Sequence, residues 1–116
     1  MERLKETSRL FLRDAEKDLM NKKYATCIVH LHMAAEHALK AYLLKLSEEI
    51  QFKTLLEVAN RLSALGIIDR DELKKLSNMN TLRNRIYHEG FLPGGYQTSP
   101  TFRNVKKIIT NLLNKL

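Results

Sequence analysis

The chain contains little cysteine, proline or glycine, and each shortage narrows the classes of protein to which it can belong. Cys27 is the one cysteine among 116 residues, so an internal disulfide and a cysteine-based zinc site are both excluded. Its apolar neighbours predict a buried, unreactive thiol in a reducing compartment. Two prolines and four glycines leave few helix breakers, while leucine, lysine, alanine and glutamate are abundant. These features predict an all-α fold.

Long apolar runs are also lacking. No segment approaches the roughly 20 consecutive apolar residues of a membrane span. Met1–Lys5 runs into charged sequence without the apolar stretch of a leader peptide. We therefore expect a cytoplasmic protein with no membrane partner. Apolar residues make up 44% of the chain and charged residues 28%, an ordinary globular balance, and residues 1–116 are expected to form one domain.

The net charge of +7 is concentrated in the second half of the chain. Between Leu73 and Leu116, eight basic residues are accompanied by one acidic residue, Glu89. The basic residues are Lys74, Lys75, Arg83, Arg85, Arg103, Lys106, Lys107 and Lys115. Such a stretch suits a phosphate backbone and makes RNA an expected partner. A solvated basic face would give the same count.

Apolar periodicity predicts two long helices in the first part of the chain. The first covers roughly Glu2–Met20 and has an amphipathic pattern. The second runs from Tyr24 to near Leu46 and has a wide apolar face that is rich in alanine. Because alanine permits close approach of neighbouring helices, we expect this second helix to be the centre of the packing.

Local start and stop signals predict three further helices. Thr54 with Glu57 and Asp69 with Glu72 have the spacing of capping boxes, and these helices would stop at Gly66 and Gly90. The glycine-rich stretch 90–98 is then expected to be a connecting loop.

The last of these helices is expected to open with Ser99 as its N-cap and Pro100 at its first position. The expected architecture is a bundle of about five helices.

The predicted fourth helix carries three residues that can do chemistry. Asn84 and His88 lie four residues apart and share one face, whereas Arg83 precedes His88 by five residues. That spacing puts Arg83 and His88 about 140° apart around the helix, so one helix alone does not aim both at one atom. Two copies meeting across a twofold axis would supply both to a shared cleft.

These side chains suffice for RNA transesterification. An imidazole can take or return a proton near neutral pH, and a guanidinium can hold a phosphoryl oxygen through paired donors. His88 would then act on the ribose 2′-hydroxyl or the leaving oxygen, Arg83 would stabilise the phosphate, and Asn84 would orient His88 or the substrate. A histidine near a helix carboxyl end is also a common partner of the helix dipole, with no catalytic role.

Other polar and aromatic residues have ordinary explanations. His32 and Glu36 have a spacing that can grip a metal, but no further ligand set accompanies them. Glu36 with Lys40 predicts an ion pair on the helix surface. Tyr87 and Tyr96 have the chemistry to stack on RNA bases, although packing in the core or a loop is the more frequent role.

Two segments resemble the signature of HEPN domains. Ala34–Ala41, which reads Ala-Ala-Glu-x-Ala-Leu-Lys-Ala, looks like the family's alanine-rich helix. Arg83–His88, which reads Arg-Asn-Arg-Ile-Tyr-His, resembles the family's Arg-x4–6-His motif, including the asparagine that follows the arginine. The two segments occur in the family's order, and the resemblance extends over all five predicted helices.

The resemblance implies an up-and-down helical bundle that forms a homodimer with the motif helices at its interface. It also implies a metal-independent, cofactor-free RNA endonuclease in which Arg83, His88 and Asn84 are catalytic. Arg85, in the same basic segment, is a candidate RNA contact. Many such proteins are toxins paired with a minimal nucleotidyltransferase antitoxin. In the subgroup with that partner a tyrosine stands two residues after the motif histidine, where this chain has Gly90.

Two other functions fit the same residues. A non-catalytic HEPN module would hold a nucleotide or a minimal nucleotidyltransferase through the basic surface. A purely structural dimer would need neither Arg83 nor His88 except for stability.

Overall fold

Five helices form an up-and-down bundle in the computed structural model, which describes residues 1–48 and 53–116. They are α1 (Glu2–Met20), α2 (Tyr24–Lys45), α3 (Leu55–Ala64), α4 (Arg70–Glu89) and α5 (Gly95–Asn114). Strands are absent from the described ranges. The all-α bundle predicted from the sequence is therefore confirmed.

Helix α2 is the centre of the bundle, because each of the other four helices packs against it. Its small residues Ala34, Ala38 and Ala41 are fully buried, which lets neighbouring backbones approach closely. The hydroxyl of Ser8 on α1 is also buried and donates a hydrogen bond to the Ala34 carbonyl, at 2.7 Å. The alanine-rich face thus has the packing role that its sequence pattern indicates.

Cys27 is fully buried in this core. Burial, together with the nearby charge of Asp18, raises the pKa of the thiol to about 12. The side chain is therefore protonated and inert at neutral pH, as expected from its apolar neighbours.

Both capping boxes form. Thr54 Oγ1 accepts a hydrogen bond from the Glu57 N–H at 3.2 Å, and Asp69 Oδ1 accepts one from the Glu72 N–H at 2.7 Å. In each box the glutamate carboxylate also accepts a hydrogen bond from the backbone N–H of the cap residue. Gly90 has a φ of 64° and ends α4 in the left-handed conformation that favours glycine. The start and end of α4 are thus set by local chemistry.

The predicted start of α5 is wrong. Ser99 and Pro100 were expected to open this helix, but it begins at Gly95 with Gly94 as its N-cap. Residues 95–98, expected to lie in a loop, are helical.

The reason lies in the polar groups around Gly94. Its carbonyl accepts bonds from the backbone N–H of Thr98 at 3.0 Å and from the Thr98 hydroxyl at 2.9 Å. Its N–H donates to Gln97 Oε1 at 3.3 Å. Pro100 consequently sits inside the helix and removes one backbone hydrogen bond near its amino end.

No helix of the described residues is both long and apolar enough to cross a membrane.

Candidate active site on the fourth helix

Helix α4 holds the motif residues on a rigid support. Its buried side chains Leu76 and Met79 anchor one face in the core. Arg83 and Asn84 follow one turn later and are half-buried, while His88 lies in the last turn and is exposed. The motif therefore runs from the edge of the core into solvent.

The guanidinium of Arg83 is oriented by two neighbours on its own helix. It stacks over the Tyr87 ring, with Cζ 4.1 Å from the ring centroid, and its Nη1 donates a long hydrogen bond of 3.4 Å to Asn84 Oδ1. No carboxylate of the described ranges lies within ion-pair distance of it. Its remaining N–H donors can therefore bind an anion.

Within one protomer the structure brings Arg83 and Asn84 together but not His88. Arg83 and Asn84 line a groove between α2, α4 and the start of α3, whereas the exposed His88 imidazole lies outside the lining of that groove. This arrangement agrees with the spacing argument that one helix does not aim both motif residues at one atom.

Arg85 lies on another face of α4. Its guanidinium covers the Phe91 ring at 3.8 Å, and its Nε is 3.9 Å from a carboxylate oxygen of Glu89. The ion pair is exposed and long, so it neutralises Arg85 only weakly. A role in RNA contact stays a prediction.

The groove beside Arg83 has a volume of about 720 Å³ and was not foreseen from the sequence. Polar groups of three elements meet in it. They are His32, Glu36 and His37 of α2, Lys53 and Thr54 before α3, and Asn80, Arg83 and Asn84 of α4. The i, i+4 pairs His32/Glu36 and Asn80/Asn84 were visible in the sequence, but only the crossing of α2 and α4 makes them face each other.

His32 is a neutral hydrogen-bond donor in this groove. It is 8% exposed, and its Nε2 donates to Asn80 Oδ1 at 3.0 Å. Burial lowers the pKa of the imidazole below its ordinary value, the positive charge of Arg83 lowers it further, and the bond to Asn80 and the charge of Glu36 partly oppose this. The ring therefore stays uncharged at neutral pH.

Three surface predictions have different outcomes. Glu36 and Lys40 form the expected ion pair, at 3.6 Å, although Glu36 also lines the groove. The expected packing of Tyr87 and Tyr96 is wrong, because their side chains are 52% and 95% exposed. Tyr87 instead supports Arg83 by stacking.

The chain thus combines an all-α bundle with an Arg-x4-His segment at the exposed end of α4. The family model described as HEPN domain matches residues 1–115, and the chain belongs to the HEPN family. Comparison with curated proteins and with solved structures gives no match.

Proposed function

We propose that this protein is a metal-independent RNA endonuclease that works as a homodimer, with the two α4 helices at the interface. The observation that carries the proposal is the state of Arg83. Its guanidinium is oriented by Tyr87 and Asn84, it has no carboxylate partner in the described ranges, and it lies one to two turns before an exposed histidine. An arginine in that state is suited to a phosphate oxyanion.

The proposed reaction uses the RNA's own 2′-hydroxyl as nucleophile. His88 removes the hydroxyl proton while the 2′-oxygen forms a bond to the adjacent phosphorus and the bond from phosphorus to the 5′-oxygen breaks. Arg83 stabilises the charge that develops on the phosphoryl oxygens, and Asn84 holds Arg83 in place. The leaving 5′-oxygen takes up a proton from water and His88 releases to water the proton that it accepted, so the products are a 2′,3′-cyclic phosphate and a 5′-hydroxyl, with the imidazole neutral again.

A second copy of the chain would complete this site. Five residues separate Arg83 from His88, which amounts to about 7.5 Å along the helix axis and about 140° around it. Across a twofold axis, the Arg83 of one subunit and the His88 of the other can approach the same phosphate. Leu82 and Ile86, which are half-buried on α4, would gain burial in such a dimer.

The test is cleavage of a mixed RNA pool in the presence of EDTA by wild type, Arg83→Ala and His88→Ala. We expect each substitution to reduce the rate by about a hundredfold or more, the usual loss when a general base or an oxyanion donor is removed. Arg70→Ala, an exposed arginine at the other end of α4, is the matched control and should retain the wild-type rate. Circular dichroism and light scattering establish that fold and dimer persist. Full activity of His88→Ala would refute the proposal.

A second candidate is a non-catalytic module that holds a nucleotide or a minimal nucleotidyltransferase partner. The polar groove of about 720 Å³ favours it, because a volume of this size accommodates a small ligand without any chemistry at His88. The same experiment separates the two functions, since the module would bind RNA or nucleotide and leave it intact.

The endonuclease is also a candidate toxin, with a minimal nucleotidyltransferase as its antitoxin. Gly90 occupies the position where the nucleotidyltransferase-linked subgroup has tyrosine, and its φ of 64° disfavours a tyrosine there. Restraint by such a partner would therefore rely on other surfaces. Growth arrest on expression, lost in His88→Ala and relieved by the co-expressed partner, is the expected observation.

A further inference from the structure

The groove beside Arg83 contains two kinds of hydrogen-bonding group. Arg83 and Lys53 line it as cations, and the amino end of α3 contributes Leu55 and Leu56 to the same wall. Thr54 already caps the N–H of Glu57, whereas the N–H groups of Leu55 and Leu56 have no acceptor within α3, and the helix dipole makes them attractive to anions. Two cations and a helix amino end in one groove are suited to a phosphate group.

One group in the groove, the carboxylate of Glu36, does not suit a phosphate. The carboxylate of Glu36 only accepts hydrogen bonds and repels an anion, so it calls for a ligand that has N–H or O–H donors. Asn80 uses its Oδ1 to accept from His32, which leaves its NH₂ group to donate. An acceptor carboxylate and a donor amide together fit the edge of a nucleobase or a ribose hydroxyl.

His32 keeps this arrangement in place. Because it is 8% exposed and hydrogen-bonded to Asn80 across the interface of α2 and α4, it orients the amide of Asn80. Glu36 is held at the same time by Lys40, with 3.6 Å between Oε1 and Nζ. The polar wall is therefore set before any ligand arrives, which lowers the entropy cost of binding.

We propose that this groove binds one nucleotide of the RNA, with a phosphate at Arg83, Lys53 and the amino end of α3, and the base at Glu36 and Asn80. The inference rests on the proposed function, in which Arg83 also faces the scissile phosphate. It adds that the enzyme prefers particular bases next to the bond that it cleaves. A carboxylate needs a donor: guanine offers two adjacent ones, N1–H and its amino group, and adenine and cytosine each offer an amino group. The one donor of uracil, N3–H, lies between two carbonyl oxygens that repel a carboxylate, so uracil binds weakest. The groove volume of about 720 Å³ exceeds what one nucleotide needs.

The experiment titrates the isotope-labelled full-length chain with each of the four ribonucleoside 3′-monophosphates and with inorganic phosphate, followed by amide NMR. Glu36→Gln removes the negative charge proposed to face the base, and Lys53→Met removes one of the two positive charges proposed to face the phosphate. Glu16→Gln and Lys17→Met on α1 are the matched controls. Glu16 also pairs with a lysine, Lys106 at 2.9 Å, so its substitution reproduces the loss of an ion pair away from the groove.

We expect shifts at His32, Asn80 and Leu55, with uridine monophosphate the weakest of the four nucleotides. Glu36→Gln should bind the amino-bearing nucleotides about tenfold more weakly, the loss expected for one hydrogen bond to a charged group. Lys53→Met should weaken all four nucleotides and phosphate by a similar factor, since it acts on the phosphate. Both controls should bind as wild type does.

Three results would overturn the inference: no shifts in the groove, equal affinities for phosphate and all four nucleotides, or unchanged affinity in both groove variants. These outcomes are distinct from failure of the nuclease. The nuclease is tested by measuring RNA cleavage in wild type and His88→Ala. The groove is tested by measuring nucleotide binding by NMR, which requires no cleavage. A wild type that cleaves RNA but shows no groove shifts keeps the nuclease and rejects the groove. A wild type that binds nucleotides selectively but does not cleave RNA keeps the groove and rejects the nuclease.

Discussion

Mixing two inactive variants should restore RNA cleavage, if the site takes Arg83 from one subunit and His88 from the other. Arg83→Ala retains every His88, and His88→Ala retains every Arg83. In a mixed dimer, one of the two sites then has both residues intact and the other has neither. The expectation follows from the separation of about 140° and about 7.5 Å between the two side chains on α4, which one protomer does not bridge.

The size of the recovery follows from symmetry. Free exchange of subunits at equal concentration makes about half of the dimers mixed, and each mixed dimer has one complete site of two, so about one quarter of the wild-type rate returns. Mixed dimers isolated with two different affinity tags should reach about one half. The assay is initial-rate cleavage of a fluorescent RNA in EDTA, before and after subunit exchange.

One result would refute the shared-site geometry. If exchange is complete by native mass spectrometry and the rate stays at the level of the single variants, Arg83 and His88 act within one subunit. Helix α4 would then have to bend or unwind near its end to bring them together, contrary to the regular helix from Arg70 to Glu89.

The remaining predictions concern stability. Because burial lowers the folded-state pKa of His32, the unfolded chain binds more protons below about pH 6.5, and the free energy of unfolding should fall as the pH decreases through that range. In urea titrations, His32→Gln, which keeps a donor for Asn80, should reduce this slope, and equal slopes in the two proteins would contradict the reasoning. Asp69→Ala removes the cap of α4 and should cost about 1 kcal/mol of unfolding free energy, whereas the exposed Asp71→Ala should cost less. A stable Asp69→Ala protein with unchanged midpoint would show that the cap contributes nothing.

The helices were predictable because their signals are local. Thr54 with Glu57 and Asp69 with Glu72 form capping boxes from residues three apart, and α4 ends where Gly90 adopts a positive φ. The start of α5 was missed because two local signals competed. Ser99 and Pro100 match an ordinary start, but backbone and side-chain bonds at Gly94 begin the helix five residues earlier.

The groove was beyond sequence reasoning for a different physical reason. The periodicity of a helix tells which residues share a face, yet it does not tell which neighbouring helix that face meets. His32 and Asn80 are far apart in the chain, and their bond depends on how α2 and α4 cross. The same limit explains Tyr87 and Tyr96, whose exposure depends on which surfaces the bundle leaves uncovered.

Helix α4 therefore presents two different chemistries on successive turns. Asn80, Arg83 and Asn84 look into the groove of their own protomer, and His88 extends into solvent one turn beyond. An RNA strand bound in the groove would lead past Arg83 towards a histidine that belongs, in the dimer, to the other subunit. Substrate selection and proton transfer would then lie on different protomers. Loss of the dimer should abolish cleavage and leave nucleotide binding in the groove intact.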